Sequence, residues 1–458
     1  MRASKVCSNT EPEKHLNILK SSLSFREFTH KKGDVFLLKT TKNKFTTTLY
    51  KKSTFEIVFI TAIFILSFFF MSGLCYSDGQ HQRELLFSDR NDYFMDYFNP
   101  MKYISEANPY NNTYLSLGEK VYPPLAYMIL YPFSKLFDYV TKLPSQGRAD
   151  QLGIMSLVFI LAISSVVYGA LLYELKNGRK VIRWLTVSAL FLSGVYIFSL
   201  ERANIIILSA ILLTFFLLFY NSHNKVLREI SLIALALAAA LKIFPALFGL
   251  ILLYDKRYKD VCKLVIYGLI AVFLPFIFFK GGFENVPYLI RNMRANSQNY
   301  TDRGFQYRFG FIPISILFSG LKHISVEFSV NLGKLISISY LIITIIASFS
   351  LYKRWKTILM LTCALVSTPL NSGFYCGLYL FAPIVLFLND DQHESGDWFY
   401  MIFMILALNP YQVSIANSSI SGVISNIAVL LIYTRLCFEG ISAIKYRIMN
   451  RNDKLIYS

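Results

Sequence analysis

Apolar runs close to the length of a bilayer core alternate along this chain with short polar stretches, a pattern that predicts membrane-crossing helices rather than a soluble core. The first run spans Phe55 to about Cys75, and others follow near 151–173, 184–200, 204–220, 262–279, 333–352, 357–370, 376–389, 398–410 and 419–438. A shorter apolar stretch near 309–330 is not counted as a crossing. The segment from Glu229 to Tyr254 is too short for two full crossings, and it contains Leu241-Lys242-Ile243-Phe244-Pro245. Proline removes a backbone donor and breaks a helix, so two half-helices are expected with Lys242 at their corner. Broken helices at membrane depth survive only where protein or a water-filled cavity surrounds them, which makes Lys242 a site candidate. The fold class expected is all-α, a polytopic transmembrane helical protein of about 10–12 spans.

Composition agrees and adds a direction. The 458 residues are 54% hydrophobic and 16% charged, with mean hydropathy +0.45; a soluble domain carries about 25% charged residues. The net charge of +18 does not indicate nucleic acid, because the basic residues sit in short clusters between apolar runs instead of along one element. Those clusters are Lys176 to Arg183, Lys225 with Arg228, Lys256 to Lys259, Lys353 to Lys356, and Lys445 to Lys454. Basic loops stay in the cytoplasm, so residues 1–54 are expected as a cytoplasmic basic tail, 55–444 as the membrane domain and 445–458 as a second cytoplasmic tail. The protein is then a multi-pass protein of the cell membrane with both termini inside. Residues 77–150 fall outside, their apolar part Leu125–Phe137 lying on or dipping into the outer leaflet. Six cysteines without a C-x-x-C pair indicate neither a zinc site nor a disulfide framework.

The outer loop carries the chemistry. Residues 77–122 hold seven carboxylates, and Asp92 and Asp96, four apart, share a face if the stretch is helical. Such a pair suits proton abstraction or cation binding at the membrane surface. The hairpin near 184–220 returns Glu201-Arg202-Ala203-Asn204 to the same surface, where Arg202 and Asn204 are candidates to meet an anion together with Lys242. Tyr122, Pro123 and Pro124 read as loop scaffold, since the prolines fix the chain's entry to the membrane. Outer-segment Arg291, Arg294, Arg303 and Arg308 are further cations suited to phosphate or to anionic headgroups. His81, His223, His323 and His393 show no ligand spacing, so no metal site is assigned. No cofactor is assigned, with a divalent cation at the paired carboxylates as an open alternative.

The loop with Asp92 and Asp96, the Asn108-Pro109-Tyr110 turn and Val121-Tyr122-Pro123-Pro124-Leu125 resemble the first outer loop of glycosyltransferase family 87, the polyprenol-phosphate-sugar-dependent, mannosyltransferase-like enzymes. Glu201-Arg202-Ala203-Asn204-Ile205 and the run Leu235–Leu247 around Lys242 extend the likeness, which runs from about 85 to 300 and is weaker to about 390, where Ser367–Ser372 looks like the family's late outer corner. Ala203 departs from it, the family usually having glycine there. The resemblance implies a GT-C-type fold whose first outer loop forms juxtamembrane helices over a lipid-facing cavity and supplies an acidic catalytic base, Asp92 or Asp96. It implies inverting transfer of a hexose, mannose-like, from a polyprenyl-phosphate donor to a glycan or glycolipid acceptor outside the membrane. The partners expected are that lipid-linked donor, the acceptor and the bilayer. Two other classes fit parts of the pattern. A secondary transporter also uses broken helices, but no second Leu-Lys-Ile-Phe-Pro-like break marks an inverted half. An envelope glycan polymerase or flippase would carry its key arginines in later outer loops without an acidic first one.

Overall fold

The computed structural model describes residues 50–76, 93–106, 108–111, 119–300, 308–322, 324–370, 372–410, 414–415 and 418–456. It is an all-α polytopic membrane protein. In chain order the helices are α1 (Lys52–Tyr76), α2 (Met95–Ser105), α3 (Pro124–Leu130), α4 (Pro144–Ala149), α5 (Gln151–Leu175), α6 (Lys180–Leu192), α7 (Gly194–Arg202), α8 (Ile206–Phe219) and α9 (Lys225–Leu241). They continue with α10 (Leu250–Tyr254), α11 (Tyr258–Phe273), α12 (Asn285–Tyr300), α13 (Phe311–Lys322), α14 (Val326–Ala347), α15 (Arg354–Ser367), α16 (Phe381–Phe387), α17 (Asp397–Ala407) and α18 (Ile420–Ile456). Six two-residue strands pair antiparallel: β1 (Tyr50–Lys51) with β4 (Gln392–His393), β2 (Arg308–Phe309) with β3 (Ser372–Gly373), and β5 (Ser414–Ile415) with β6 (Ser418–Ser419).

Among the described residues five helical stretches are long and apolar enough to cross a membrane, Lys52–Gly73, Gln151–Leu175, Tyr258–Phe278, Val326–Ser350 and Ile420–Met449, and α6 with α7 makes a sixth bent by 56°. Of the remaining expected crossings, 204–220, 376–389 and 398–410 appear as the shorter apolar stretches α8, 374–387 and α17, and 357–370 as α15; α13 and 244–254, not expected to cross, are short apolar stretches too. Because such pieces are short, they must pack against protein to satisfy the backbone at their ends. α11 is the opposite case: it buries none of its residues, and Val265, Ile266, Leu269 and Ile270 are exposed, as suits a helix turned to lipid. The last helix runs through 445 to Ile456 with no break at the expected start of a tail.

Local sequence explains the helix starts. Asp150 accepts from the Leu152 and Gly153 amides and opens α5, while Asn224 does the same for Val226 and Leu227 at the start of α9. Pro124 occupies the first turn of α3, where its missing donor costs nothing. The larger core joins α1, α5 to α8 and α15 to α18, and a smaller one forms under the loop, where Tyr97, Phe98, Tyr110 and Tyr127 pack with Leu157, Leu241 and Phe276. In the described part of the loop, α2, α3 and α4 are short helices seated on the bundle. The basic clusters collect at the far end of α5, where Lys176 meets Glu56, Arg354 meets Asp255 and Lys353 meets Asp390.

Candidate active site

The break in the segment 229–254 falls at Lys242, as the sequence predicts. α9 ends at Leu241, Lys242 adopts an extended conformation (φ −147°, ψ 117°), and tight 3-10 turns over Phe244–Gly249 begin the return. With 17 residues α9 is about 25 Å long, so it carries Lys242 from the basic end of the bundle to the loop end. There the Lys242 ammonium lies 4.6 Å from the centre of the Tyr122 ring, a cation–π contact.

Tyr122, read as scaffold, thus stands in the middle of the site. Its hydroxyl accepts from Asn204 Nδ2 at 3.1 Å and reaches the Asp96 carbonyl at 3.4 Å. Its backbone is tied down in turn, because the Tyr110 hydroxyl donates to the Tyr122 carbonyl at 2.9 Å and Asn108 closes the Asn108-Pro109-Tyr110 turn. Pro123 and Pro124 start α3 immediately afterwards.

Asp96 lies in the first turn of α2 and brings the other candidates together. Arg202 donates from Nη2 to Oδ1 at 2.6 Å and from Nε to Oδ2 at 3.3 Å, a forked pair, and Asn204 Nδ2 donates to Oδ2 at 2.8 Å. Both charged partners are half-buried, with side chains 19% and 15% exposed. Burial alone would raise the Asp96 carboxyl, but the Arg202 charge and hydrogen bond, the Asn204 hydrogen bond and the Lys242 charge together hold it below its ordinary value. Asp96, Arg202, Asn204, Lys242 and Tyr122 therefore form one cluster. Asp92 lies outside the described residues.

The corner that delivers Arg202 and Asn204 is a single left-handed residue. Ala203 sits at φ 49°, ψ 37°, a conformation that L-residues other than glycine, asparagine and aspartate adopt at a cost, and it turns the chain sharply between α7 and α8. Asn204 then uses its Oδ1 to accept the Ile206 amide at 3.0 Å, which leaves its Nδ2 for Asp96 and Tyr122. Phe94 has positive φ as well, at 59°, and its amide donates to the Glu201 carbonyl at 2.8 Å. The α2 start and the α7 corner are thus bound together through backbone as well as side chains.

Beside this cluster α3, α9 and α11 enclose an apolar groove of about 320 Å³, lined among others by Leu125, Met128, Ala236, Leu237, Ile270 and Phe278. Leu237 precedes Lys242 by little more than one turn of α9 and Leu125 follows Tyr122 by three residues, so the groove shares α9 and α3 with the site. A larger hollow of about 530 Å³ between α17 and α18 is lined by Phe399, Leu431, Arg435 and Glu439. It belongs to the other end of the bundle, and its Arg435 is already paired with Glu439 at 3.1 Å.

The described groups around Asp96 do not fit a divalent cation, since the Arg202 guanidinium and the Asn204 amide already take up its oxygens and the Lys242 charge lies nearby. One cluster with ligand-type atoms does form: Asp390, His393 and Asp397 bring theirs within 4.8 Å of one another. It suits a metal no better, because the Lys353 ammonium lies 2.9 Å from Asp390 and 3.2 Å from Asp397 and the His393 ring stacks on Phe55 at 4.0 Å.

Sequence reasoning missed Tyr375 and Cys376. The Tyr375 hydroxyl lies within electrostatic reach of Asp96, Arg202 and Arg308, and the Cys376 thiol within that of Lys242. Both sit in an apolar run where no periodicity or spacing marks them.

A family model described as "Glycosyltransferase family 87" matches residues 121–372. No curated protein and no solved structure matches the chain.

Proposed function

The chain belongs to glycosyltransferase family 87, and from that membership we propose that this membrane glycosyltransferase takes a hexose, mannose-like, from a polyprenyl-phosphate donor and passes it to a hydroxyl of an extracytoplasmic glycan or glycolipid. The observation that carries the reading is the excess of positive charge around Asp96. Among the described residues Asp96 meets Arg202 and the charge of Lys242, and the helices that carry Lys242 and follow Tyr122 also line an apolar groove, a combination that suits a phosphate attached to a long hydrocarbon chain. The groove takes the start of the isoprenoid, and Lys242 and Arg202 receive the phosphate. Arginine offers a fork and lysine a point charge, and Asn204 adds a neutral donor.

In the reaction the acceptor oxygen bonds to the anomeric carbon from the side opposite the phosphate. The bond from that carbon to the phosphate oxygen breaks, the hydroxyl proton passes to a carboxylate, and polyprenyl monophosphate leaves with the bonding electrons. Negative charge grows on the phosphate as it departs, so fixed cations stabilise the transition state more than the ground state. Inversion in one displacement needs a single base. Asp96 is the weaker choice of the two loop aspartates, because Arg202 and Asn204 occupy its oxygens and hold its carboxyl at low basicity, whereas a good base titrates near the working pH. We assign it the task of orienting Arg202 and Asn204, and give Asp92 the proton.

Purified protein incubated with polyprenyl-phosphate-linked mannose, glucose or galactose and a mixed glycan acceptor tests this. Transfer from at least one donor is expected, with Asp92→Asn slowing turnover by about 10²-fold or more at unchanged donor affinity. Asp96→Asn should instead raise the donor KM. No transfer from any of the three donors, or full turnover in Asp92→Asn, overturns the assignment.

A further inference from the structure

The wall of the site facing α2 comes from chain far downstream of it. The 3-10 turns Phe374–Leu380 pack on α7, where the Phe198 ring lies 5.9 Å from Phe374 and 6.3 Å from Tyr375. Gly377 approaches α7 so closely that a Cβ there would come within 2.8 Å of a Val195 methyl. Phe198 and Arg202 are one helical turn apart on the same face of α7, so this packing seats Tyr375 beside the Arg202–Asp96 pair. Arg308 arrives by register: in the β2–β3 ladder it stands opposite Gly373, two residues before Tyr375, while the Phe309 ring meets Phe374 at 4.9 Å.

A ladder of two residues a side does not hold itself together. What fixes it is Asn426, a buried amide in the apolar part of α18. It accepts from the Gly310 amide at 2.8 Å and donates to the Gly310 carbonyl at 3.1 Å. Gly310 has φ 122°, and a Cβ there would lie 2.7 Å from the Ser367 carbonyl, so only glycine closes the clasp. A buried amide costs stability unless its groups are satisfied, and here one residue's backbone satisfies both.

We propose that Arg308 is a further phosphate-binding residue of this site, presented to it by the Asn426–Gly310 clasp, so that Arg202 meets the phosphate from α7 and Arg308 meets it from the ladder. Asn426 is the positioning residue for Arg308. The inference rests on the reading that the site takes a lipid-linked phosphate, and it is tested by binding instead of turnover so that the two fail separately. Full-length protein in nanodiscs is titrated with a long-chain polyprenyl monophosphate and, in parallel, with the corresponding polyprenol lacking the phosphate.

Losing one charge-assisted contact costs about tenfold or more in affinity. Arg308→Ala should show that loss for the monophosphate and no change for the polyprenol, and Arg308→Lys should recover part of it. Asn426→Ala should weaken the monophosphate alone, and Arg308→Ala combined with Asn426→Ala should be no weaker than Arg308→Ala, a pattern that general destabilisation does not give. Equal monophosphate affinity in wild type and Arg308→Ala, or a parallel loss for both lipids, overturns the proposal. Arg308-dependent binding in a protein that transfers no sugar would leave the phosphate site standing and remove the reaction assigned above.

Discussion

At the basic end of the bundle Lys176 is 1% exposed and closed in by acceptors: the Glu56 carboxylate, the Asn177 carbonyl at 2.8 Å, the Leu388 carbonyl at 3.3 Å and Asn389 Oδ1 at 3.2 Å. At the loop end Asp96 keeps a partly exposed side chain and is answered by Arg202, Asn204 and the charge of Lys242. Both ends therefore bury ion pairs, but their balance differs. Lys353 lies between two carboxylates, Asp390 and Asp397, whereas among the described residues Asp96 is held by Arg202 and Asn204 with the Lys242 charge nearby. A surplus of buried positive charge is costly in a membrane protein unless an anion joins it. The first arrangement is complete without a ligand, and the second invites one.

Breaking the complete end should cost folding and leave chemistry alone. Lys176→Met strands the Glu56 carboxylate, and removal of one partner from a buried pair destabilises by about 3–5 kcal/mol. A large fall in the thermal unfolding temperature in detergent is expected, with unaltered donor KM in the protein that remains folded. A normal unfolding temperature accompanied by a raised donor KM would abolish the distinction between the ends.

The inviting end should respond in the reverse manner. Lys242→Ala removes a cation that no acidic group contacts directly in the described structure, so stability should change little while donor affinity falls by about ten- to a hundredfold, the worth of a hydrogen bond to a charged group. Lys242→Arg should not restore it, because the forked head is larger than the ammonium now resting on Tyr122. Separate donor and acceptor titrations measure this, and a change confined to the acceptor would place the phosphate elsewhere.

How much of this contrast the residues announce depends on how local each feature is. The break at Lys242 is legible because Pro245 removes a donor within a short apolar run, and the corner at 201–204 because four polar or small residues interrupt two apolar ones. The separation of basic clusters from the acidic loop is equally plain, since each cluster lies beside a run of crossing length. Tyr375 and Asn426 are different. Tyr375 comes within electrostatic reach of Asp96 through the packing of Phe374–Leu380 on α7, and Asn426 clasps Gly310 from 116 residues away. A lone amide in an apolar helix is a signal of intramembrane function, yet nothing in sequence says which backbone it will meet. Tyr122 reads as scaffold beside its prolines yet touches Asp96, Asn204 and Lys242, because adjacent residues of one loop face different neighbours. The run from 420 to 456 stays helical across the expected tail boundary for a plainer reason: its last third carries neither proline nor glycine after Gly440, and nothing local stops it.

A smaller effect concerns pH. The folded Asp96 carboxyl lies below its ordinary 3.8, so its contribution to stability is complete above that unfolded value and is lost as pH falls through the lower folded one. Between about pH 5 and 8 the Arg202–Asp96 pair is therefore constant, and affinity for a phosphodiester donor, which does not titrate there, should be flat over that range. A midpoint near neutrality that disappears in Asp96→Asn would show that Asp96 itself takes up a proton during binding.

The finest test concerns Ala203, which departs from the glycine usual in the family and occupies left-handed backbone at φ 49°. That conformation costs an L-residue about 1–2 kcal/mol, while glycine costs about 0.5–1 kcal/mol through its freer unfolded chain. The balance favours Ala203→Gly by no more than about 1.5 kcal/mol, a rise of a few degrees in unfolding temperature. The corner keeps its geometry in either residue, so Arg202 still reaches Asp96, and Asn204 still bridges Asp96 to Tyr122. Turnover and donor KM should therefore remain at wild-type values while stability rises. If Ala203→Gly instead weakened donor binding, the methyl group would be holding Arg202 in place, and the strain at this corner would belong to the site's function and not only to the turn.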